Sequence, residues 1–181
     1  MKLVLWSAIP VAAVALGFAM APEARTTRAK TVTKAVAVVH PAKDQKVSGV
    51  VRFEKAEGGL KISWELSGLA PGNHGFHIHE FGDCNCADLK CAGGHFNPDG
   101  KKHGGPGKPE RHAGDLGNIV AGADGTSKGE MTDSGVALQG DRSIVGRAIM
   151  IHEKEDDLAT DPTGNAGGRF AAGVIGIAKE E

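Results

Sequence analysis

From Val32 onward the chain is cut into apolar runs of strand length, each closed off by turn-forming residues. "KAVAVVH" (34–40), "KVSGVVRFEKA" (46–56) and "LKISWELSG" (60–68) alternate or cluster their apolar positions, as half-buried strands do. "PAKDQ", "EGG" and "APGNHG" separate them with the residues that favour turns. Further strand-like runs follow residue 112: "GNIVAGADG", "GEMTDSGVAL", "SIVGRAIMIHE" and "FAAGVIGIA". Past the first 21 residues no run sustains a helical period, and there is no internal repeat. The pattern predicts an all-β chain of about eight antiparallel strands, a sandwich or a barrel. Composition agrees: 27 Gly, no Tyr and 4% aromatics suit many short strands and loops, while 40% hydrophobic residues suffice for a core and argue against disorder.

The amino terminus reads differently. "MKLVLWSAIPVAAVALGFAMAPEA" places Lys2 before an apolar run ending near Ala21, and Ala19-Met20-Ala21 fits a small-residue cleavage site. Residues 1–21 are therefore expected to be an export signal, with an uncleaved membrane anchor as the alternative. Arg25, Arg28 and Lys30 follow within residues 22–31, a polar tether outside the fold. Residues 32–181 remain as one domain, exported to a periplasmic or extracellular space. A membrane partner enters only if the first segment stays attached. The formal net charge of −1 gives no reason to expect nucleic acid or an acidic surface as partner.

Two long connections, 80–112 and 153–168, interrupt the strand pattern, and loops of that length in a compact domain usually carry function. Six of the eight histidines lie in or beside them: His77, His79, His95, His103, His112 and His152. His77 and His79 are two apart in "GFHIHE", so on a strand both imidazoles point to one face, a ready pair of metal ligands. His103, His112 and Asp115 occur in "KKHGGPGKPERHAGD", and with His95 they make a three-nitrogen, one-oxygen set that suits tetrahedral zinc. His77, His79, His95 and His152 would give a four-nitrogen set that suits copper(II). Two histidine-rich sites are predicted; spacing leaves open whether they share a ligand.

"LAPGNHGFHIHEFGD", "GGHFNP", "KHGGP", "RHAGDLGNIVA", "VGRAIMIHEKEDDL" and "TGNAGGRFAAGVIGIA" together resemble the copper/zinc superoxide dismutase family, across roughly residues 32–178. The resemblance implies an eight-stranded antiparallel Greek-key β-sandwich or barrel with two long functional loops. It implies copper at His77, His79, His95 and His152. Zinc is implied at His95, His103, His112 and Asp115, the His95 imidazole bridging the two ions. It further implies that Asp156 hydrogen-bonds a ligand of each metal, and that Arg169 sits beside copper and attracts the superoxide anion. The chemistry implied is dismutation of superoxide to dioxygen and hydrogen peroxide, with copper cycling between two oxidation states. "EFGD" and "GVIGIA" resemble the stretches that form a homodimer interface in eukaryotic-type members.

Two departures from the family pattern stand out. Its members usually tie the first long loop to the last strand by a disulfide, but "RFAAGV" has Ala172 where the second cysteine is expected, so that bridge cannot form. Cys84, Cys86 and Cys91 are left with several options. Cys84 or Cys86 pairs with Cys91, a more strained Cys84–Cys86 bridge forms, the thiolates bind copper(I), or the thiols stay free or join two chains. Thiolate binding of copper(I) underlies a rival function, an exported copper carrier using this loop; a zinc-storing role is more distant. The second loop, "EKEDDLATDPTGNAGG", is several residues shorter than is common in the family, and Asp161 adds negative charge, so weaker steering of the anion is expected.

Overall fold

The computed structural model describes residues 31–180. The expected signal (1–21) and nearly all of the expected tether (22–31) lie outside the described residues. Eight strands of five to nine residues carry the fold. They are β1 (Lys34–Pro41), β2 (Ser48–Ala56), β3 (Gly59–Ser67), β4 (Gly72–His79), β5 (Asp115–Ala121), β6 (Ser127–Asp133), β7 (Ala148–His152) and β8 (Arg169–Val174). A two-residue β9 (Gly176–Ile177) follows, and one 3-10 turn covers Lys90–Ala92. No helix among the described residues is long and apolar enough to cross a membrane.

The strands pair antiparallel in the order β5-β4-β7-β8-β1-β2-β3-β6. β1, β2 and β3 form a meander, whereas the connections β3–β4 and β6–β7 cross to the far side of the sheet, which is the Greek-key arrangement. The sheet curls so that its end strands β5 and β6 approach each other, giving the nearly closed all-β barrel expected from the run pattern.

Strand alternation explains the interior. Val51 and Phe53 of β2, Leu60 and Ile62 of β3, and Phe76 and Ile78 of β4 join Ile149 and Ile151 of β7 in one buried cluster. Each such side chain contributes roughly 1.5–3 kcal/mol by leaving water. β4 and β7 are unusual in being buried on both faces. Their inward residues enter the core, while the outward set of His77, His79, Ala148, Met150 and His152 is covered by the two long connections. A smaller apolar cluster lies there under the first loop: Ala42, Leu89, Ala92, Ala148, Met150 and Ala172, with Cys84 packed against it.

Element boundaries depart from the sequence pattern for local reasons. "APGNHG" has turn chemistry, yet its last four residues enter β4, because Gly72, Asn73, His74 and Gly75 pair with Ala121, Val120, Ile119 and Asn118. β7 begins only at Ala148, because Gly146 takes φ 85° and the Arg147 N–H returns to the Ile144 carbonyl at 3.0 Å. β6 stops at Asp133, whose carboxylate accepts the Gly135 N–H at 2.6 Å and turns the chain. β8 and β9 are split at Ile175, which exchanges its backbone hydrogen bonds with Gly146 and Arg147.

Cys86 and Cys91 form a disulfide, with Cα atoms 5.8 Å apart, and Cys84 is a free, half-buried thiol. Position 172 is an alanine in the cluster against which Cys84 packs. We therefore expect Ala172→Cys to pair with Cys84 and stabilise the domain by up to about 4–5 kcal/mol in the chain-entropy account. Alkylation of the folded variant should find no free thiol, and finding two would refute the pairing.

Candidate metal centre

The site is assembled from strand ends. Pairing between β4 and β5 sets His77 opposite Asp115, just past a bulge after Gly75. Pairing between β7 and β8 sets His152 opposite Arg169, again beside an irregularity. His95 comes from the first long connection and makes an isolated bridge to His79. All six histidines singled out in the sequence, together with Asp115 and Asp156, are buried in one place.

Two sets of four side chains there could each hold a metal ion: His77, His79, His95 and His152, and His95, His103, His112 and Asp115. His95 belongs to both, which spacing in the sequence left open. Its ring lies 4.0 Å from that of His77 and 5.5 Å from those of His103 and His112, centre to centre.

Hydrogen bonds decide which nitrogen of each ring is left for a ligand. Asp156 accepts from His77 Nε2 at 2.7 Å and from His103 Nε2 at 2.8 Å, so Nδ1 is the nitrogen of each ring left to face a ligand. His79 Nδ1 donates to the Gly93 carbonyl at 3.0 Å, leaving Nε2, which lies 3.3 Å from His152 Nε2. Asp115 Oδ2 accepts the N–H groups of Gly104 and His112 at 3.1 and 2.9 Å. Its Oδ1 faces His95 Nδ1 at 2.7 Å and the Nδ1 atoms of His103 and His112 at 3.2 Å each.

His77 Nδ1 and His95 Nε2 are buried with no hydrogen-bond partner. An orphaned buried nitrogen costs roughly 1–3 kcal/mol, which a metal bond would remove. The donor chemistry thus fits both ions: four imidazole nitrogens for copper(II), three with a carboxylate oxygen for zinc.

The charges are tuned accordingly. Burial pushes His79 and His152 well below the ordinary histidine value, and their histidine neighbours add to the shift. His95 falls to about 4, chiefly through burial, against the opposing pull of Asp115. His103 is also opposed by burial, but Asp115 and Asp156 together outweigh it and raise it to about 10, so a metal bound at its Nδ1 would displace a proton. For Asp156 burial alone would raise the carboxyl. The hydrogen bonds from His103, His77 and the Leu158 N–H outweigh it and hold the group ionised, well below the usual carboxylate range.

Arg169 is half-buried, and its guanidinium donates to the carbonyls of Leu89 and Gly93, both at 2.6 Å. It borders an open pocket of about 710 Å³ whose lining also includes His152, Lys43, Asp88, Lys90 and Glu153.

A match to the model of the copper/zinc superoxide dismutases covers residues 47–175. The chain belongs to the copper/zinc superoxide dismutase family. It is 44% identical over 162 residues to an extracellular superoxide dismutase [Cu-Zn] of Brugia pahangi, covering 84% of this chain and 80% of that protein. Identity to superoxide dismutase [Cu-Zn] A of Xenopus laevis is 48% over 151 residues, covering 80% and 97%. Among solved structures, the clock protein EA4 superposes with a TM-score of 0.76 at 40% identity, covering 82% of this chain and 97% of that one.

Several supporting residues carried no signal in the sequence. Arg111 donates to the carbonyls of His112, Ala113 and Asp115 and pairs with Asp133 at 2.6 Å, fixing the loop that presents His112 and Asp115. Asn118 on β5 holds the Asp156 backbone from both sides, at 2.7 and 2.8 Å. A His74 ring nitrogen lies 2.8 Å from the His152 carbonyl, a polar tie within a buried strand pair. Gly164 takes φ 64°, and a Cβ there would collide with Asp156 Oδ1 and come within 2.6 Å of His103 Nε2.

The two expectations drawn from family departures come out differently. The family bridge to position 172 is absent, and the loop cysteines close locally instead; this leaves Cys84 as the one free thiol of the three, so a copper carrier would have no thiolate pair to use. Asp161 is exposed, so its negative charge does face solvent, and it also accepts the His103 N–H at 2.6 Å and ties the second loop to the first.

Asp156→Asn keeps the shape but loses the ionised acceptor that sets both rings. Affinity for copper and zinc should fall by about 10–100-fold. Competition with a chelator of known strength measures this, and unchanged retention of both metals would exclude the assigned role.

Proposed function

We propose that this dismutase holds copper with His77, His79, His95 and His152 and zinc with His95, His103, His112 and Asp115, and that Arg169 binds the superoxide anion. The sharing of His95 between two four-donor sets is the observation that carries the assignment. A protein that merely stored zinc would need neither the shared imidazole nor a cation beside the four-nitrogen set.

Copper supplies the one-electron redox chemistry that zinc lacks. Two superoxide ions and two protons give dioxygen and hydrogen peroxide. The remaining tasks fall to the chain. Arg169, pinned by two carbonyls, presents a fixed positive charge at the pocket wall. His152 lines the same pocket as Arg169, so an anion drawn to the arginine comes beside a member of the four-nitrogen set. Asp156 fixes the tautomers of His77 and His103. His95 Nε2 is buried and unpaired, a donor atom on the shared ring kept free for the four-nitrogen set.

Two further readings follow the same line. The apolar segment at residues 1–21 and the extracellular relative support export. A disulfide in the folded domain suits that compartment. A homodimer is supported by exposed Phe81, Val174, Ile177 and Val38. Gly82 abuts Val174, Gly173 abuts Val38, and β9 lies along β1, so these side chains share one face.

Dismutation by the copper- and zinc-loaded domain is the primary test. Arg169→Ala should lower the rate about 10–100-fold, the loss of a charge-assisted contact, with metal content unchanged. Activity no better than free copper in the parent protein would sink the proposal. Phe81→Glu buries a charge in the proposed interface and should yield active monomers in sedimentation; a parent protein already monomeric would remove the dimer.

A further inference from the structure

Arg169 is held entirely by the cysteine loop. One guanidinium nitrogen donates to Leu89, which lies between Cys86 and Cys91, and the other to Gly93, two residues past the disulfide. Leu89 is an unexpected anchor, because it adopts φ 58°, a left-handed conformation that costs an L residue roughly 1–2 kcal/mol. Such strain persists only where the surroundings over-determine it. Here the Leu89 side chain is buried in the small outer cluster and its N–H reaches the Cys86 carbonyl at 3.0 Å. The Leu89 carbonyl also accepts the Ala92 N–H at 3.2 Å. The Cys86–Cys91 bond closes the ring around it, and the Cys91 N–H lies 3.1 Å from Cys86 Sγ.

Resting on the assignment of Arg169 as the anion-binding group, we infer that the Cys86–Cys91 disulfide is a reducible staple that positions Arg169 through the Leu89 carbonyl. With the bond intact, Leu89 stays left-handed and its carbonyl meets the guanidinium. A dithiol cleaves the bond with balanced chemistry. The Cys86–Cys91 sulfur–sulfur bond breaks, two electrons and two protons pass to the cysteines, and the dithiol closes to its own cyclic disulfide. The exposed Cys91 admits the reagent. Leu89 is then free to relax, and Arg169 keeps only Gly93. That carbonyl also takes His79 Nδ1, so the metal ligands keep their support while the arginine loses half of its own.

Azide binding to the copper- and zinc-loaded protein tests this, read from the copper(II) absorption spectrum together with metal content and dismutation rate. The proteins are the parent, the Cys86→Ser/Cys91→Ser double variant, Arg169→Ala, and the triple combination. A Cys84→Ser background prevents thiol exchange. Loss of the disulfide should weaken azide binding about threefold to tenfold, the worth of one ordinary hydrogen bond, since Arg169 keeps its charge and its Gly93 contact, with a parallel fall in rate. Metal content should not change. In the Arg169→Ala background, removing the disulfide should add nothing. Brief dithiol treatment of the folded, loaded Cys84→Ser protein, followed by alkylation of Cys86 and Cys91, removal of the reagents and reoxidation of the copper to copper(II) by air, gives the same readout without depending on refolding of a variant; without alkylation, reoxidation should restore azide affinity. Unchanged azide affinity in the reduced, metal-replete protein would overturn the inference, as would an equal loss in the Arg169→Ala background. If Arg169→Ala itself leaves azide binding intact, the assignment of the arginine fails first, and the staple with it.

Discussion

Asp156 is the hinge on which the centre depends. Its two carboxylate oxygens each take an imidazole N–H, one from His77 on β4 and one from His103 in the first long loop. A buried carboxylate is costly unless it is paired, and here the pairing is what orients a donor of each metal set. The cost is kept down by other groups. The Leu158 N–H gives the carboxylate a third donor, and Asn118 holds its backbone against β5. Gly164 must lack a side chain for the second loop to close over it. One acidic side chain thereby joins a barrel strand and both loops.

That closure accounts for an otherwise odd feature of the barrel. Strands on the rim of a small antiparallel barrel commonly alternate apolar and polar residues, whereas β4 and β7 are buried on both faces. Their outward residues are the floor of the metal centre and of the small apolar cluster beneath the cysteine loop. The loops behave as a second layer that buries all six of the site histidines. Burial then pushes His79, His95 and His152 toward the neutral form that can donate to a metal.

Much of this is legible in the residues. Period-two runs mark the strands, and the H-x-H of β4 puts two imidazoles on one face by its spacing alone. Less is legible where tertiary pairing overrides local chemistry. "APGNHG" carries the marks of a turn, yet its end becomes β4 because β5 offers a partner. Arg111 and Asn118 act on backbone atoms distant or unremarkable in sequence, so no spacing could announce them. Asp161 is legible as a surface charge but not as a tie between the loops, because its partner, the His103 N–H, is a backbone group 58 positions away. The sharing of His95 concerns two edges of one ring, and it exists only once the folded chain brings both donor sets around that ring.

The cysteines show how a lost cross-link can change its task. A bridge from the loop to position 172 would close about 90 residues and stabilise the fold by about 4–5 kcal/mol in the chain-entropy account. Closing the short Cys86–Cys91 loop contributes about 2 kcal/mol on the same basis. The global gain is thus roughly halved. What the short ring does supply is local: it spans Leu89, whose left-handed backbone aims a carbonyl at Arg169. A bridge to the last strand constrains where the loop sits, whereas a bridge within the loop constrains its internal shape. Rigidity in this chain is concentrated at the arginine rather than spread through the barrel. The loop is anchored to the barrel by other means: the buried side chains of Leu89 and Ala92, and the Ala92 carbonyl that accepts the Phe81 N–H at 2.9 Å. Apolar packing fixes the loop on the barrel, and the disulfide fixes the carbonyl that the arginine needs.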